Sequence, residues 1–269
     1  MKHHWRALWL IPAALFIIDT EVAMAAQNGP VTVEWYGHSC FLLTLENGAK
    51  ILIDPYDTTR VPYAPPRDRV NVIFSTHDHF DHNNVDLVPA PIVLRADGRE
   101  AKFYGKTGGT VEQTDGSTVV DLKGRPLKAV TVPSFHDDRG GGQRGANGML
   151  RLEVNGLAFV HLGDVGTMLT PGQVEALKPV DVLMIPVGGY YTIDADTAAQ
   201  VAAALGSKVV IPMHYKTSAL NESWPIAEVD SFLTHFPRVH RNPGSTITLQ
   251  AGSMPDSLTI EVLEYHGRK

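Results

Sequence analysis

The chain has 269 residues, of which 43% are hydrophobic, 8% aromatic and 19% charged, a balance that excludes a disordered acidic tail, a collagen-like repeat and a coiled coil. Lysine and arginine number 23 against 29 acidic residues, a formal charge of −6 that lacks the basic footprint of a nucleic-acid binder. A single cysteine, Cys40, excludes an internal disulfide, so the fold must stand on its core or on metal.

Residues 1–25 carry a positive start at Lys2 and Arg6, an apolar run over 7–18, and the small residues of Ala23-Met24-Ala25. That layout is a secretory signal peptide, cleaved after Ala25 or Ala26, and it places the mature domain 26–269 in a bacterial periplasm or outside the cell. A retained anchor is the alternative. It is weakened by Pro12, by Asp19, and by a run short of the roughly 20 residues a spanning helix needs, so no stable membrane insertion is expected after cleavage. Strands are then expected at Val31–Trp35, and at Phe41–Leu45 and Lys50–Ile53 around the hairpin signal Asn47-Gly48. A buried strand at 70–75 runs into a histidine cluster, and further strands fall at 91–95, 118–120 and 127–132. Residues 150–154 and 157–162 flank a second hairpin signal, Asn155-Gly156. The apolar stretch 180–187 suits a strand covered on both faces. Asp194 can cap an alanine-rich helix over Ala195–Leu205. A strand at 208–213, a weaker helical pattern at 227–235, and strands at 245–249 and 258–263 complete the order. Two segments, 58–69 with three prolines and 139–148 with five glycines, read as loops. The order suggests two β-layers, each covered by helices, in one domain.

The run from Phe74 to His82 contains His77, His79, Asp81 and His82 in the spacing His-x-His-x-Asp-His, at the end of a buried strand. A loop leaving a strand can aim several of these side chains into one volume. Imidazole and carboxylate are ligands that zinc takes readily. Without a cation, four such groups within six residues are best kept apart in water, so a solvated polar loop is the competing interpretation. His136, Asp164 and His214 each follow an expected strand, and several strand ends can converge on one edge of a sandwich.

These motifs resemble the metallo-β-lactamase superfamily, and within it the small metal-dependent hydrolases that include the ascorbate-6-phosphate lactonase-like proteins. Residues 37–42, Asp54-Pro55, the His77–His82 signature, His136, Asp164 in Gly163-Asp164, and His214 in Met213-His214-Tyr215 occur in the family's order across nearly all of the mature chain. The resemblance implies an α/β (α+β) fold, a four-layer αββα sandwich. It implies that His77, His79 and His136 hold one divalent ion, that Asp81, His82 and His214 hold a second, and that Asp164 bridges them. It further implies a hydrolase in which the two ions activate a shared water against an ester, lactone or phosphodiester of a small molecule, with Asp81 also orienting that water or taking its proton. Nitrogen and oxygen donors suit zinc, with manganese or iron also compatible.

Around these residues, Asp54 is a candidate to hold a ligand histidine, and His38 a candidate to line the site. Tyr190, or its neighbour Tyr191, is a candidate oxyanion donor, and Arg144 and Asn147 are candidate substrate contacts. His161 is expected to be structural or to line the site, and Cys40 to be packed. A β-lactam hydrolase and a non-catalytic periplasmic metal-binding protein are the alternatives. The β-lactamase subclass with a cysteine ligand fits poorly, because Asp164 stands where that cysteine would be. A nuclease is disfavoured by the negative charge, and oligomeric state has no signature in the sequence.

Overall fold

Alternation of apolar residues decides which way each strand of the first sheet faces, because successive side chains point to opposite sides. Val31, Val33 and Trp35 of β1 (Val31–Trp35), Phe41 and Leu43 of β2 (Phe41–Leu45), Ile51 and Ile53 of β3 (Lys50–Ile53), and Val72 and Phe74 of β4 (Val72–Ser75) all enter one core. Each such side chain, fully buried, contributes about 1.5–3 kcal/mol. Leu42, Leu52, Ile73 and Val93 point the other way, into a second cluster. With β5 (Ile92–Ala96), β6 (Phe103–Thr107) and β15 (Thr246–Leu249), these strands form a seven-stranded sheet in the order β15-β1-β2-β3-β4-β5-β6. The computed structural model describes residues 28–108, 111–114 and 117–267. The expected signal peptide at 1–25 lies outside them.

The second sheet contains β7 (Val111–Thr114), β8 (Ser117–Asp121), β9 (Pro126–Phe135), β10 (Ala146–Val154), β11 (Leu157–His161), β12 (Val182–Pro186), β13 (Val209–Met213), β14 (Val239–Arg241) and β16 (Thr259–Val262). Its order among the described residues is β14-β16-β13-β12-β11-β10-β9-β8-β7. Asn155 and Gly156 both adopt left-handed backbone, φ 51° and 73°, the turn that lets β10 and β11 pair with only two residues between them. Helix α1 (Pro171–Leu177) packs against β9, and α2 (Ala195–Leu205) against β12. The cap by Asp194 is as expected, its side chain accepting from Thr197 N–H at 2.9 Å. Ala198, Val201, Ala202 and Leu205 make the buried stripe of α2.

The α+β sandwich expected from the sequence is the observed architecture, with one difference in its outer layers. Among the described residues the helices lie on the nine-stranded sheet. The outer face of the seven-stranded sheet is covered by loop residues such as Tyr56, Val61, Tyr63, Val85 and Val88. Several boundaries also move. The glycine-rich loop ends earlier than expected, because β10 starts at Ala146, and the helical pattern at 227–235 contracts to α3 (Asp230–Leu233). Edge strands β6, β7 and β14 and helix α1 add elements with little apolar periodicity.

Strand direction decides where the strand ends gather. Strands β3 and β4 run parallel, as do β11, β12 and β13. Strand β10 is antiparallel to both β9 and β11, so β9 points the same way as β11. The C-terminal ends of β9, β11 and β13 therefore share one edge of their sheet.

Candidate metal centre

Each donor sits one to seven residues past the end of a strand. The 77–82 segment leaves β4 in a tight turn, with His82 N–H and Asn83 N–H both donating to His79 C=O. His136 directly follows β9, and its N–H donates to Gly145 C=O at 3.1 Å. Asp164 leaves β11 through Gly163, whose φ of 55° and contacts with Asn147 and Thr76 leave no room for a Cβ. His214 follows β13 with φ 52°, and His38 sits in the middle of the β1–β2 turn with φ 54°. Left-handed backbone at two histidines and at Asp54 (φ 48°) stores strain where donors converge. The His214 N–H donates to His38 C=O at 3.1 Å, tying the two turns together.

Asp164 is the hub. Its Oδ2 lies 3.0 Å from His136 Nε2, 3.2 Å from His214 Nε2 and 3.9 Å from His77 Nε2, and its Oδ1 lies 3.2 Å from His82 Nε2. Three overlapping groups of donors, each within 4.8 Å of one another, can hold metal: His77, His79 and His136; His38, Asp81, His82 and His214; and His77, His82 and Asp164. All seven residues expected to be ligands are thus brought together. His38, expected only to line the site, lies inside the second group with its Nε2 3.0 Å from Asp81 Oδ2.

The donor set passes a physical test for a cation. His77 Nε2, His82 Nε2 and Asp164 Oδ1 are buried and have no hydrogen-bond partner, although His82 and Asp164 are close. Buried polar atoms are rarely left so, and here they face one another across a space that a cation would satisfy. The remaining atoms of two imidazoles are spoken for. Asp54, fully buried, accepts from Thr76 N–H at 2.8 Å, from Thr76 Oγ1 at 2.7 Å and from His82 Nδ1 at 2.8 Å. Thr76 Oγ1, its proton committed to Asp54, accepts from His77 Nδ1 at 2.9 Å. One carboxylate therefore turns the Nε2 lone pairs of both His77 and His82 toward Asp164. His161 is structural. Its Nε2 donates to Ser39 C=O at 2.9 Å, and its Nδ1 accepts from Gly163 N–H at 3.1 Å.

Electrostatics agree. Burial disfavours a charge on Asp164, but His214, His82 and His136 outweigh it and hold the carboxyl well below its usual range. Burial likewise opposes a proton on His82, yet Asp164, Asp54 and Asp81 hold its pKa well above the ordinary value. A proton on His82 does in part what a cation does for this anionic pocket. Burial pushes His77 down, helped by its histidine neighbours, and His38 falls to about 4 by burial and the proximity of His214. Neutral His38 donates to Asp81, which stays ionised because His82 and His38 outweigh the cost of its burial.

A cleft of about 520 Å³ opens onto this cluster, lined by His79, Asp81, His136, Asp164 and His214 and walled by Arg60, Phe80, Gln143, Arg144, Tyr191, Ser223 and Trp224. Arg144 lines it as the sequence suggests. Tyr190 does not. Its side chain is 64% exposed and lines a separate pocket with Asp194 and Pro225, and the adjacent Tyr191 takes its place. The reason is the left-handed backbone at Tyr190, φ 59°, which turns consecutive side chains to different sides. Asn147 is no substrate contact either. Buried in β10, its Nδ2 donates to Ser134 Oγ and Leu162 C=O, and its Oδ1 accepts from Asp164 N–H at 3.0 Å, which fixes the hub. None of Arg60, Phe80, Gln143, Ser223 and Trp224 is itself a motif position, although Phe80 falls between signature residues and the breaker-rich composition of 58–69 and 139–148 points to the loops of Arg60 and Gln143.

A family model for the beta-lactamase superfamily domain matches residues 32–214. A UPF0173 metal-dependent hydrolase of Hyperthermus butylicus is 31% identical over 203 residues, 69% of this chain and 83% of that protein. Another from Myxococcus xanthus is 29% identical over 260 residues, 88% of this chain and 90% of that one. Among solved structures, a metallo-beta-lactamase superfamily protein from Thermotoga maritima superposes with a TM-score of 0.63 at 31% identity, covering 88% of this chain and 100% of the other.

Proposed function

The chain belongs to the metallo-β-lactamase superfamily, as a metal-dependent hydrolase, and on that premise we propose that it uses two divalent ions, zinc before manganese or iron, to hydrolyse an ester, lactone or phosphodiester of a small molecule. His77, His79 and His136 would hold one ion and Asp81, His82 and His214 the second, with Asp164 within reach of both sets of donors. The observation that carries this is the set of buried, partnerless Nε2 and Oδ1 atoms facing one another around Asp164 beside an open cleft. A divalent pair would supply Lewis acidity and acidify a bound water. The chain's own residues do the rest. Asp81, kept ionised and oriented by His38 Nε2–H, accepts an O–H of the reacting water. The water oxygen bonds to the acyl carbon or phosphorus, the bond to the leaving oxygen breaks, and the proton held at Asp81 goes to that oxygen. The cleft favours turnover over mere metal storage. The sequence of residues 1–25 supports action after export, in the periplasm or outside the cell.

The test is to strip the mature protein with chelator, add back zinc, manganese or iron, and assay esters, lactones, phosphodiesters and a β-lactam. Activity should vanish with the metal and return with it. Turnover indifferent to chelation, or two bound ions with no turnover on any class, would overturn the proposal.

A further inference from the structure

One wall of the cleft is built from chain that has little shape of its own. Residues 139–148 hold five glycines, and they carry Gln143 and Arg144 to the cavity. Glycine loses more conformational freedom on ordering than any other residue, so such a loop stays in one place only if something outside its composition holds it.

A single side chain does so. Asp137 is buried, and its carboxylate accepts four main-chain N–H bonds, two on each oxygen. Oδ1 accepts from Arg139 at 2.8 Å and from Gly141 at 2.9 Å, and Oδ2 accepts from Gln143 at 2.9 Å and from Arg144 at 2.6 Å. Bonds to an ionised acceptor are the stronger class. The foot of the loop is fixed as well. His136 N–H donates to Gly145 C=O at 3.1 Å and closes the loop at its base, and Gly166 N–H donates to Phe135 C=O at 2.9 Å. A Cβ on Gly166 would lie 2.5–2.7 Å from the backbone of His136 and Asp137, so the segment leaving Asp164 packs directly on that foot. Inside the loop, Gly141 has φ 79°, and a Cβ there would come within 3.0 Å of Gly145 and the Phe135 ring.

The two residues bonded to Oδ2 are the two that line the cleft. The Arg144 guanidinium carbon also lies 5.7 Å from the ring centre of Tyr191, another residue of the same wall. Each bond on Oδ2 therefore fixes the backbone from which a cleft side chain projects. Asp138, next in sequence, is a natural contrast: it is exposed, and its carboxylate lies 4.0 Å from Arg139 Nε.

We propose that Asp137 is a positioning residue. Its carboxylate folds residues 139–145 into the cleft wall, so that Gln143 and Arg144 meet the substrate already ordered. It governs substrate capture, not metal binding or bond breaking. A wall in place before binding has no ordering cost left to meet when the ligand arrives. This rests on the hydrolase reading above.

The experiment compares the zinc-loaded wild type with Asp137→Asn on one probe of each class: para-nitrophenyl butyrate, dihydrocoumarin and bis(para-nitrophenyl) phosphate. Asparagine keeps one acceptor oxygen and sets an NH₂ group against the other pair of N–H donors. On the probes that the wild type cleaves, KM should rise roughly tenfold while kcat stays within about twofold. Zinc affinity, read by competition with a chromophoric chelator, should be unchanged. Trypsin cleavage after Arg139 and Arg144, read by mass spectrometry, should accelerate about tenfold or more as the loop opens. Asp138→Asn removes the same charge one residue away and should alter none of these. In a Gln143→Ala/Arg144→Ala background, Asp137→Asn should no longer raise KM, because the side chains it positions are gone; a purely structural anchor would raise it still. If Asp137→Asn does not fold, Gly141→Ala strains the same loop from another point and is read in the same way. Unchanged trypsin cleavage, faster cleavage with KM unchanged, a fall in kcat alone, or zinc affinity lost in step with KM overturns the proposal and leaves the hydrolase reading intact. A wild type inert on all three probes defeats the hydrolase reading and the proposal with it.

Discussion

Replacing Asp54 with asparagine isolates the step from sequence to metal affinity. The side chain is fully buried and never meets the cleft, yet three bonds of 2.7–2.8 Å converge on it from Thr76 N–H, Thr76 Oγ1 and His82 Nδ1. Asparagine fits the same space but has one acceptor oxygen. If that oxygen keeps Thr76 N–H, the NH₂ takes the place of Oδ2 and faces both Thr76 Oγ1 and His82 Nδ1, turning two acceptor contacts into donor clashes. Relief requires His82 to carry its proton on Nε2, the atom that faces Asp164 at 3.2 Å, and a protonated Nε2 cannot bind metal. Losing a hydrogen bond to a buried charged group costs about 1.5–3 kcal/mol. Metal affinity should fall about 10- to 100-fold, as when other carboxylates that orient ligand histidines are removed. Competition against a chromophoric chelator reads the affinity, and thermal melts of the metal-free protein read the stability loss separately. Unchanged affinity with a lowered melting temperature would refute this coupling, because Asp54 would then be only a structural anchor.

His79→Ala should cut turnover by a hundredfold or more while the metal-free protein melts near the wild type, since this histidine is only partly buried and pairs within the site; steady-state rates and melts on one preparation check both. Gly163→Ala should destabilise the fold by roughly 2–4 kcal/mol, combining left-handed strain with crowding against Thr76 and Asn147, and urea unfolding measures it. The depressed pKa of His38, about 4 against an unfolded value near 6.5, means the unfolded state binds the proton first. Its contribution is therefore complete above pH ~6.5 and is lost as pH falls toward ~4, by up to about 3 kcal/mol. Urea unfolding of the metal-free wild type and His38→Gln across that window should show a shallower slope in the variant, and identical slopes would contradict it.

The legible parts of the sequence were those in which a local pattern had a single structural outcome. Asn155-Gly156 can supply two left-handed residues, so a two-residue hairpin followed. The His77–His82 spacing, and the strand ends before His136, Asp164 and His214, foreshadowed convergence because parallel neighbours end on one edge. What escaped depended on tertiary context. Asn147, inside a glycine-rich run, reads as a candidate substrate contact, but β10 begins at Ala146 and draws it into the core beneath Asp164. Which of Tyr190 and Tyr191 meets the cleft turns on one backbone angle. Arg60 and Trp224 sit in loops with no periodicity. Helix α1 was legible and missed: Thr170, Pro171 and Gln173 spell a capping box with proline at the first turn. The outer loops over the seven-stranded sheet carry Tyr56 and Tyr63 as core, a packing role that breaker-rich sequence hides.

Anomalous diffraction from crystals of the zinc-loaded chain would decide whether the seven donors share a pair of ions. Two peaks are expected about 3.5–4 Å apart, one among His77, His79 and His136 and one among Asp81, His82 and His214, with Asp164 between them. A single peak, or metal bound anywhere that leaves Asp164 uncoordinated, would contradict the dinuclear centre.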